Sequence, residues 1–367
     1  MSTLRLKIHI GLLLSATFGL GAIAPAIAES SSWSSRDETT IPKLAPSLNK
    51  SVPNQSVPTP PAALPATPSM KTRMQSLAPA TGPDAAYTAF DQGQYLTALK
   101  LSEEAAARGE PQANTLIGRI YLEGLGVPKN EQKATEYFKH ASDMGDIQGT
   151  FALGMSYAQG RGVKKDYKIA ADLFEKAALT GNADANYNLG LLFLNGTGKP
   201  LNPIRAYQHI RYAAEKGITQ AEYDLAELYQ TGTGVDANAL EAAKWLSKAS
   251  EQGLAVAQYD YAVRLLQGYG LTLDEVKIPA LLKSAAEKGI PGAQNRLGYV
   301  YLDGIKVKKD PIEAAKWRLI AQKNGFEDKN FDDILNKMPK ADRLKAAVEA
   351  SAWMDRIAAD PEMSAVP

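Results

Sequence analysis

The chain has no cysteine and only three histidines among 367 residues. Without thiols there can be no disulfide, no thiolate nucleophile, no thiolate metal cage and no lipid attached at a lipoprotein cysteine. A charge excess of either sign is also lacking, since 41 basic residues meet 40 acidic ones for a formal charge of +1. No net field draws such a chain to nucleic acid or to an anionic membrane. What is present is apolar content, 45% of residues, enough to exclude disorder throughout and to supply a substantial core or a repeat array.

The first 28 residues, MSTLRLKIHIGLLLSATFGLGAIAPAIA, carry Arg5 and Lys7, an apolar run, and Ala26-Ile27-Ala28 as a small-x-small cleavage signal. They are predicted to be a secretory signal peptide cut after Ala28, which places the mature protein in the periplasm or outside the cell. Gly19, Gly21 and Pro25 interrupt the apolar run, and it is short for a spanning helix, so no integral membrane span is expected after cleavage. Residues 29–82 form a Pro/Ser-rich stretch, with ten prolines between Pro42 and Pro83. That composition buries too little apolar surface to offset chain entropy and predicts a disordered linker with a reach of about 40 Å. The tail over 359–367 is expected to be disordered as well.

From Asp84 the pattern changes. Gly109, Gly145, Gly181, Gly217, Gly253, Gly289 and Gly325 recur every 36 residues, and a second glycine column holds Gly124, Gly160, Gly196, Gly232, Gly268 and Gly304. Asn130, Asp166, Asn202, Asn238, Asp274 and Asp310 form a third column with the same period, ahead of apolar-periodic segments. Their side chains suit helix N-caps, and the first glycine column suits the exit from a helix with positive φ. Each unit therefore reads as a helix pair, with six repeats over 111–326, a degenerate pair over 83–110 and a capping pair over 327–358, sixteen helices in all. The capping pair breaks at Met338-Pro339, and Leu344, Val348 and Trp353 are expected to cover the final repeat.

Gly160-Arg161-Gly162, followed by Lys164 and Lys165, could cradle a phosphate. The equivalents of Lys165 are Lys129, Leu201, Ala237, Leu273 and Lys309, so the glycine recurs and the cation does not. The stretch is a turn. Two departures stand out: Ile278-Pro279 replaces the usual Ala-Ala, predicting a late or kinked helix, and Gly304-Ile305-Lys306 lacks the second glycine.

The unit A-x-A-x-x-x-L-G-x-x-Y-x-x-G-x-G-V, followed by A-A-x-W-x-x-K-A-x-x-x-G, resembles the Sel-one-like repeat, a relative of the tetratricopeptide repeat. AEYDLAELYQTGTGV over 221–235 and EAAKWLSKASEQG over 241–253 show it well. The resemblance implies an all-α, right-handed α/α solenoid of helix-turn-helix repeats, and a role in envelope regulation, secretion or host contact. Some cysteine-rich members of the family are linked with penicillin binding or β-lactam hydrolysis. Here cysteine is absent and no S-x-x-K motif stands with its companions, so that activity does not carry over.

No catalytic, cofactor or metal site is expected. His140 and His209 occupy different positions in their repeats, and the carboxylate pairs Glu103-Glu104 and Asp332-Asp333 diverge on a helix. If first helices line the inner curve, an apolar floor of Met155, Leu191, Leu194, Val263, Leu266, Tyr299 and Leu302 would take a protein or peptide of the cell envelope. The column Phe151, Tyr187, Tyr223 and Tyr259 suits packing between repeats, and as a second reading could stack on sugar rings and associate with peptidoglycan.

Overall fold

The computed structural model describes residues 84–267 and 276–359, and the structural statements concern these. The expected signal peptide, linker and tail, with Gly268 and Asp274, lie outside them. The described residues hold sixteen α-helices and no strand. α1 (Ala85–Asp91) and α2 (Tyr95–Ala107) come first. Six pairs follow: α3 (Pro111–Glu123) and α4 (Glu131–Asp143), α5 (Ile147–Gln159) and α6 (Tyr167–Ala178), α7 (Ala183–Asn195) and α8 (Pro203–Glu215), α9 (Thr219–Thr231) and α10 (Ala239–Glu251), α11 (Ala255–Gln267) and α12 (Ile278–Glu287), α13 (Pro291–Asp303) and α14 (Pro311–Lys323). α15 (Lys329–Lys337) and α16 (Lys340–Ala359) close the chain, with the break at Met338-Pro339 where it is predicted. Two compact units divide after Thr180, the first holding α1–α6 and the second α7–α16.

Helix starts follow from the Asn/Asp column. Asn130 Oδ1 accepts from Lys133 N at 2.9 Å, Asn202 Oδ1 from Arg205 N at 3.0 Å, and Asp166, Asn238 and Asp310 cap α6, α10 and α14 in the same way. Each side chain satisfies backbone donors that the first helical turn leaves without a partner. First helices end on a left-handed glycine, as at Gly160 with φ 76°. So the glycine loop of the second repeat is a turn, and Thr135 Oγ1 of the preceding repeat donates to Arg161 O at 2.9 Å.

The loop's second glycine has a packing reason beyond its positive φ. A Cβ on Gly162 would lie 2.1 Å from Glu131 O, and one on Gly234 would lie 2.0 Å from Pro203 O. Both oxygens belong to the first residue of the preceding repeat's second helix. At the corresponding point of the sixth repeat Lys306 takes φ 54°, the one non-glycine residue with positive φ among those described. The other departure is in the fifth repeat, where α12 begins at Ile278, three positions later than the register of the other second helices. The proline thus delays that helix, and sits in its first turn where a missing N–H costs nothing.

In the second unit a long apolar core runs from Tyr187 and Leu191 through Ile210, Leu225, Leu246, Leu282 and Leu297 to Trp317 and Ala350, with a smaller cluster around Phe331 beside it. The first unit has smaller clusters, one of Phe90, Leu99, Leu116, Ile117 and Ile120, another of Ala134, Phe138 and Leu153. At the C-terminal end the buried Arg318 donates from Nε and Nη2 to the two carboxylate oxygens of Asp332 at 2.8 and 3.0 Å, and from Nη1 to Phe326 O at 2.8 Å. This bidentate pair fastens α15 onto the last repeat.

α16 corrects one expectation. Ala346 and Ala350 are its buried residues, and Trp353 meets Trp317 edge-on at 5.3 Å, but Leu344 and Val348 face outward. Two alanines and a tryptophan permit close approach to α14, and the helix turns its branched residues away.

Candidate interaction surface

The first helices do not present the expected floor. Leu191 is 2% exposed, and Met155 and Val263 are buried too. Leu194 and Leu266 pack half-buried against the long core, and Tyr299 and Leu302 against a cluster around Phe331. For Met155, Leu191, Val263 and Tyr299 the physical reason is the small residue just ahead. Gly154 and Gly190 admit Phe174 and Ile210 of the facing second helix to within 2.7 Å of where a Cβ would stand. Such close approach leaves no open trough above positions 155 and 191.

The aromatic column is spent on the same packing. Tyr187 Oη donates to Asp224 Oδ2 at 2.8 Å, and Tyr223 Oη to Asp260 Oδ2 at 2.8 Å, each reaching a carboxylate one repeat ahead. Tyr299 Oη donates to Oδ2 of Asp328, the N-cap of α15, at 3.1 Å. In the first unit Thr115 Oγ1 performs the equivalent task toward Asp146 at 2.6 Å. Tyr187, Tyr223 and Tyr259 are buried, so their faces are closed to a sugar ring. Burial, and then Asp224, drive the Tyr187 hydroxyl well above its ordinary range. Burial, and then the nearby Glu227, push the Asp224 carboxyl up to about 7, against the hydrogen bonds from Tyr187 and Gln220. Desolvation dominates because the neutral acid keeps its bonds while the anion loses water.

His140 lies exposed at the edge of Tyr137. His209 stacks on Phe193 at 5.7 Å, its Nδ1 2.9 Å from Asn186 Oδ1, and the Arg205 guanidinium sits 4.5 Å from the same ring. These are packing roles. Among the described residues no group of three or more His, Cys, Asp or Glu could hold a metal ion, and no helix is long and apolar enough to cross a membrane.

Exposed apolar residues fall elsewhere, on a column that sequence reasoning passed over. Ile204, Leu240 and Val276 occupy one register position in three successive repeats and are 61%, 61% and 73% exposed. Leu201 adds to the row in the third repeat. The first unit has Gln132 and Lys168 at that position, both exposed. The signal was a 36-residue spacing of branched residues, at the second position of α8 and α10 and just ahead of α12, where in α8 and α10 the capping residue two places earlier is the stronger mark.

Capped helix pairs joined by a tyrosine-carboxylate ladder, with an apolar row along one edge, define a helix-pair repeat protein of the tetratricopeptide-like kind. The Sel1 repeat profile matches residues 111–146, 147–182, 183–218, 219–254, 255–290 and 291–320, more than half of the sequence. The chain belongs to the Sel1 repeat family. A Sel1 repeat protein from Oxalobacter formigenes is similar to it at 28% identity and a TM-score of 0.58, over 66% of this chain and 99% of that one. A protective antigen present in uropathogenic Escherichia coli strains, displaying an SLR fold, matches at 26% identity and a TM-score of 0.49, over 71% of this chain and 64% of its own. No curated protein matches the sequence. Sel1 and tetratricopeptide-like solenoids are typical of protein-interaction scaffolds, and the family is generally non-catalytic.

Proposed function

We propose that the chain is an exported, non-enzymatic scaffold that holds a partner polypeptide along the second-helix edge of its C-terminal unit. The observation that carries this reading is the exposed row Ile204, Leu240 and Val276, one residue per repeat. Apolar side chains placed together in water mark an interaction surface. An extended partner that offers a series of apolar side chains could meet the row one repeat at a time.

Panning a random-peptide display library on the folded protein tests it. The wild type should enrich peptides with several apolar residues in series, and the variant Ile204→Ser/Leu240→Ser/Val276→Ser should lose them. Its melting point should stay close to wild type, because each exposed substitution is expected to move stability by less than about 0.5 kcal/mol. Failure to enrich any sequence, or equal enrichment on the variant, would defeat the reading.

Export is supported by Arg5 and Lys7 ahead of an apolar run that ends in Ala26-Ile27-Ala28. Mass spectrometry of the envelope fraction should find a mature N-terminus near Glu29. An intact N-terminus in the membrane fraction would instead mean a tethered protein.

A further inference from the structure

We infer that α16 is a self-association surface through which two copies of the chain pack antiparallel. The inference stands on the C-terminal cap alone and is independent of the peptide-binding row. At twenty residues α16 is the longest of the described helices, and only one of its faces is used by its own chain. A helix face that its own chain leaves uncovered is ordinarily polar. Here Leu344 and Val348, one turn apart, are 66% and 62% exposed. Ala341, Ser351 and Asp355 continue that face at alternating three- and four-residue spacing, all exposed, so an uninterrupted seam runs along the helix.

Beside the ridge lies its complement. A groove of about 380 Å³ runs between α14 and α16, lined by Leu319, Gln322 and Lys323 on one side and Ala347, Ala350 and Met354 on the other. Ala347 is three residues from both Leu344 and Ala350, so ridge and groove adjoin. A patch that carries both a knob and a hole is self-complementary under a two-fold axis, where each copy's ridge enters the other's groove.

Charge chooses the direction. Lys340 and Lys345 flank the N-terminal half of the seam, and Asp355 sits within its C-terminal half, all three exposed. A parallel pair would set lysine against lysine and Asp355 against Asp355. An antiparallel pair crossing near Val348 brings Asp355 among the lysines of the second copy. Arg356 falls at the rim, where its Nε is bonded to Ala352 O of its own helix. A twenty-residue helix is about 30 Å long and 10 Å wide, which is less than the roughly 800 Å² per partner of a standard stable interface. The dimer is therefore weak and concentration-dependent.

Sedimentation equilibrium of the full mature chain from about 1 μM to about 500 μM tests the pairing. We expect reversible monomer–dimer behaviour, with hydrogen exchange slowing in α16 as dimer forms. Leu344→Ser/Val348→Ser should raise the dimer dissociation constant about tenfold or more with an unchanged helical signal and melting point. Asp355→Lys should weaken the dimer too, and mixing it with Lys340→Asp/Lys345→Asp should restore association as a mixed pair. A chain that stays monomeric throughout leaves the ridge to a different protein and overturns the inference. A dimer indifferent to Leu344→Ser/Val348→Ser overturns it as well, and a dimer that loses nothing in Asp355→Lys overturns the antiparallel arrangement.

Discussion

Asp224 shows how much a single side chain of this fold can weigh. Its carboxyl titrates ordinarily near 3.8 and is pushed up to about 7 in the folded chain, by burial first and by Glu227 second. The folded state therefore holds its proton through a range in which the unfolded chain has released it. Stability contributed at this site is complete below the unfolded value, declines as pH rises toward the folded one, and is flat above it. The slope is at most about 1.4 kcal/mol per pH unit from one group. Asp224→Asn removes the titration while an amide oxygen can still accept from Tyr187, and Gln220 can turn to meet the amide nitrogen. Thermal melts should show the variant more stable than wild type at pH 8, and little different at pH 4, where the wild-type acid is neutral. Glu222 is also raised, by burial first, so wild type alone would mix the two groups, and the difference between variant and wild type isolates Asp224. An offset of equal size at both pH values would show that Asp224 does not titrate in this range.

At the scale of elements, most of the fold was legible and much of its surface was not. Helix starts and stops are local events, decided by an Asn or Asp that caps and a glycine that exits, so Asn130, Asn202 and Gly160 declared themselves in the sequence. The delayed start of α12 was legible for the same reason, because Pro279 acts on its own helix. Periodicity marks a residue as apolar and in register but does not say which neighbour covers it. Leu191 and Ile204 both recur at the repeat spacing; one is closed over by its own second helix, and the other stands in water. Arg318 illustrates the same limit, for its partner Asp332 lies in a cap that no repeat motif describes. A buried guanidinium needs a carboxylate there, and the bond is what makes α15 part of the stack.

For the whole molecule the distribution of core decides where the chain opens first. Repeat arrays are held by each unit's own stability plus the contacts with its neighbours. In the second unit most of those contacts merge into one long apolar cluster that threads α7–α14 and reaches α16, beside a smaller one around Phe331, and the Tyr187–Asp224 and Tyr223–Asp260 bonds reinforce it. In the first unit the apolar clusters are smaller, one around Phe90, Leu116 and Ile117 and another of Ala134, Phe138 and Leu153. Local opening costs least where few buried contacts must break. Native-state hydrogen exchange should accordingly find the slowest amides in α9 and α11 and faster exchange throughout α1–α4. Leu191→Ala supplies the perturbation that ties this order to packing. Losing a buried leucine costs about 3–5 kcal/mol, so protection should fall across α7, α9 and α11 together. If Leu191 belonged to an open binding floor, the same substitution would leave exchange unchanged. Uniform protection in both units, or faster exchange in α9 than in α3, would mean that the long cluster is not what holds the chain together.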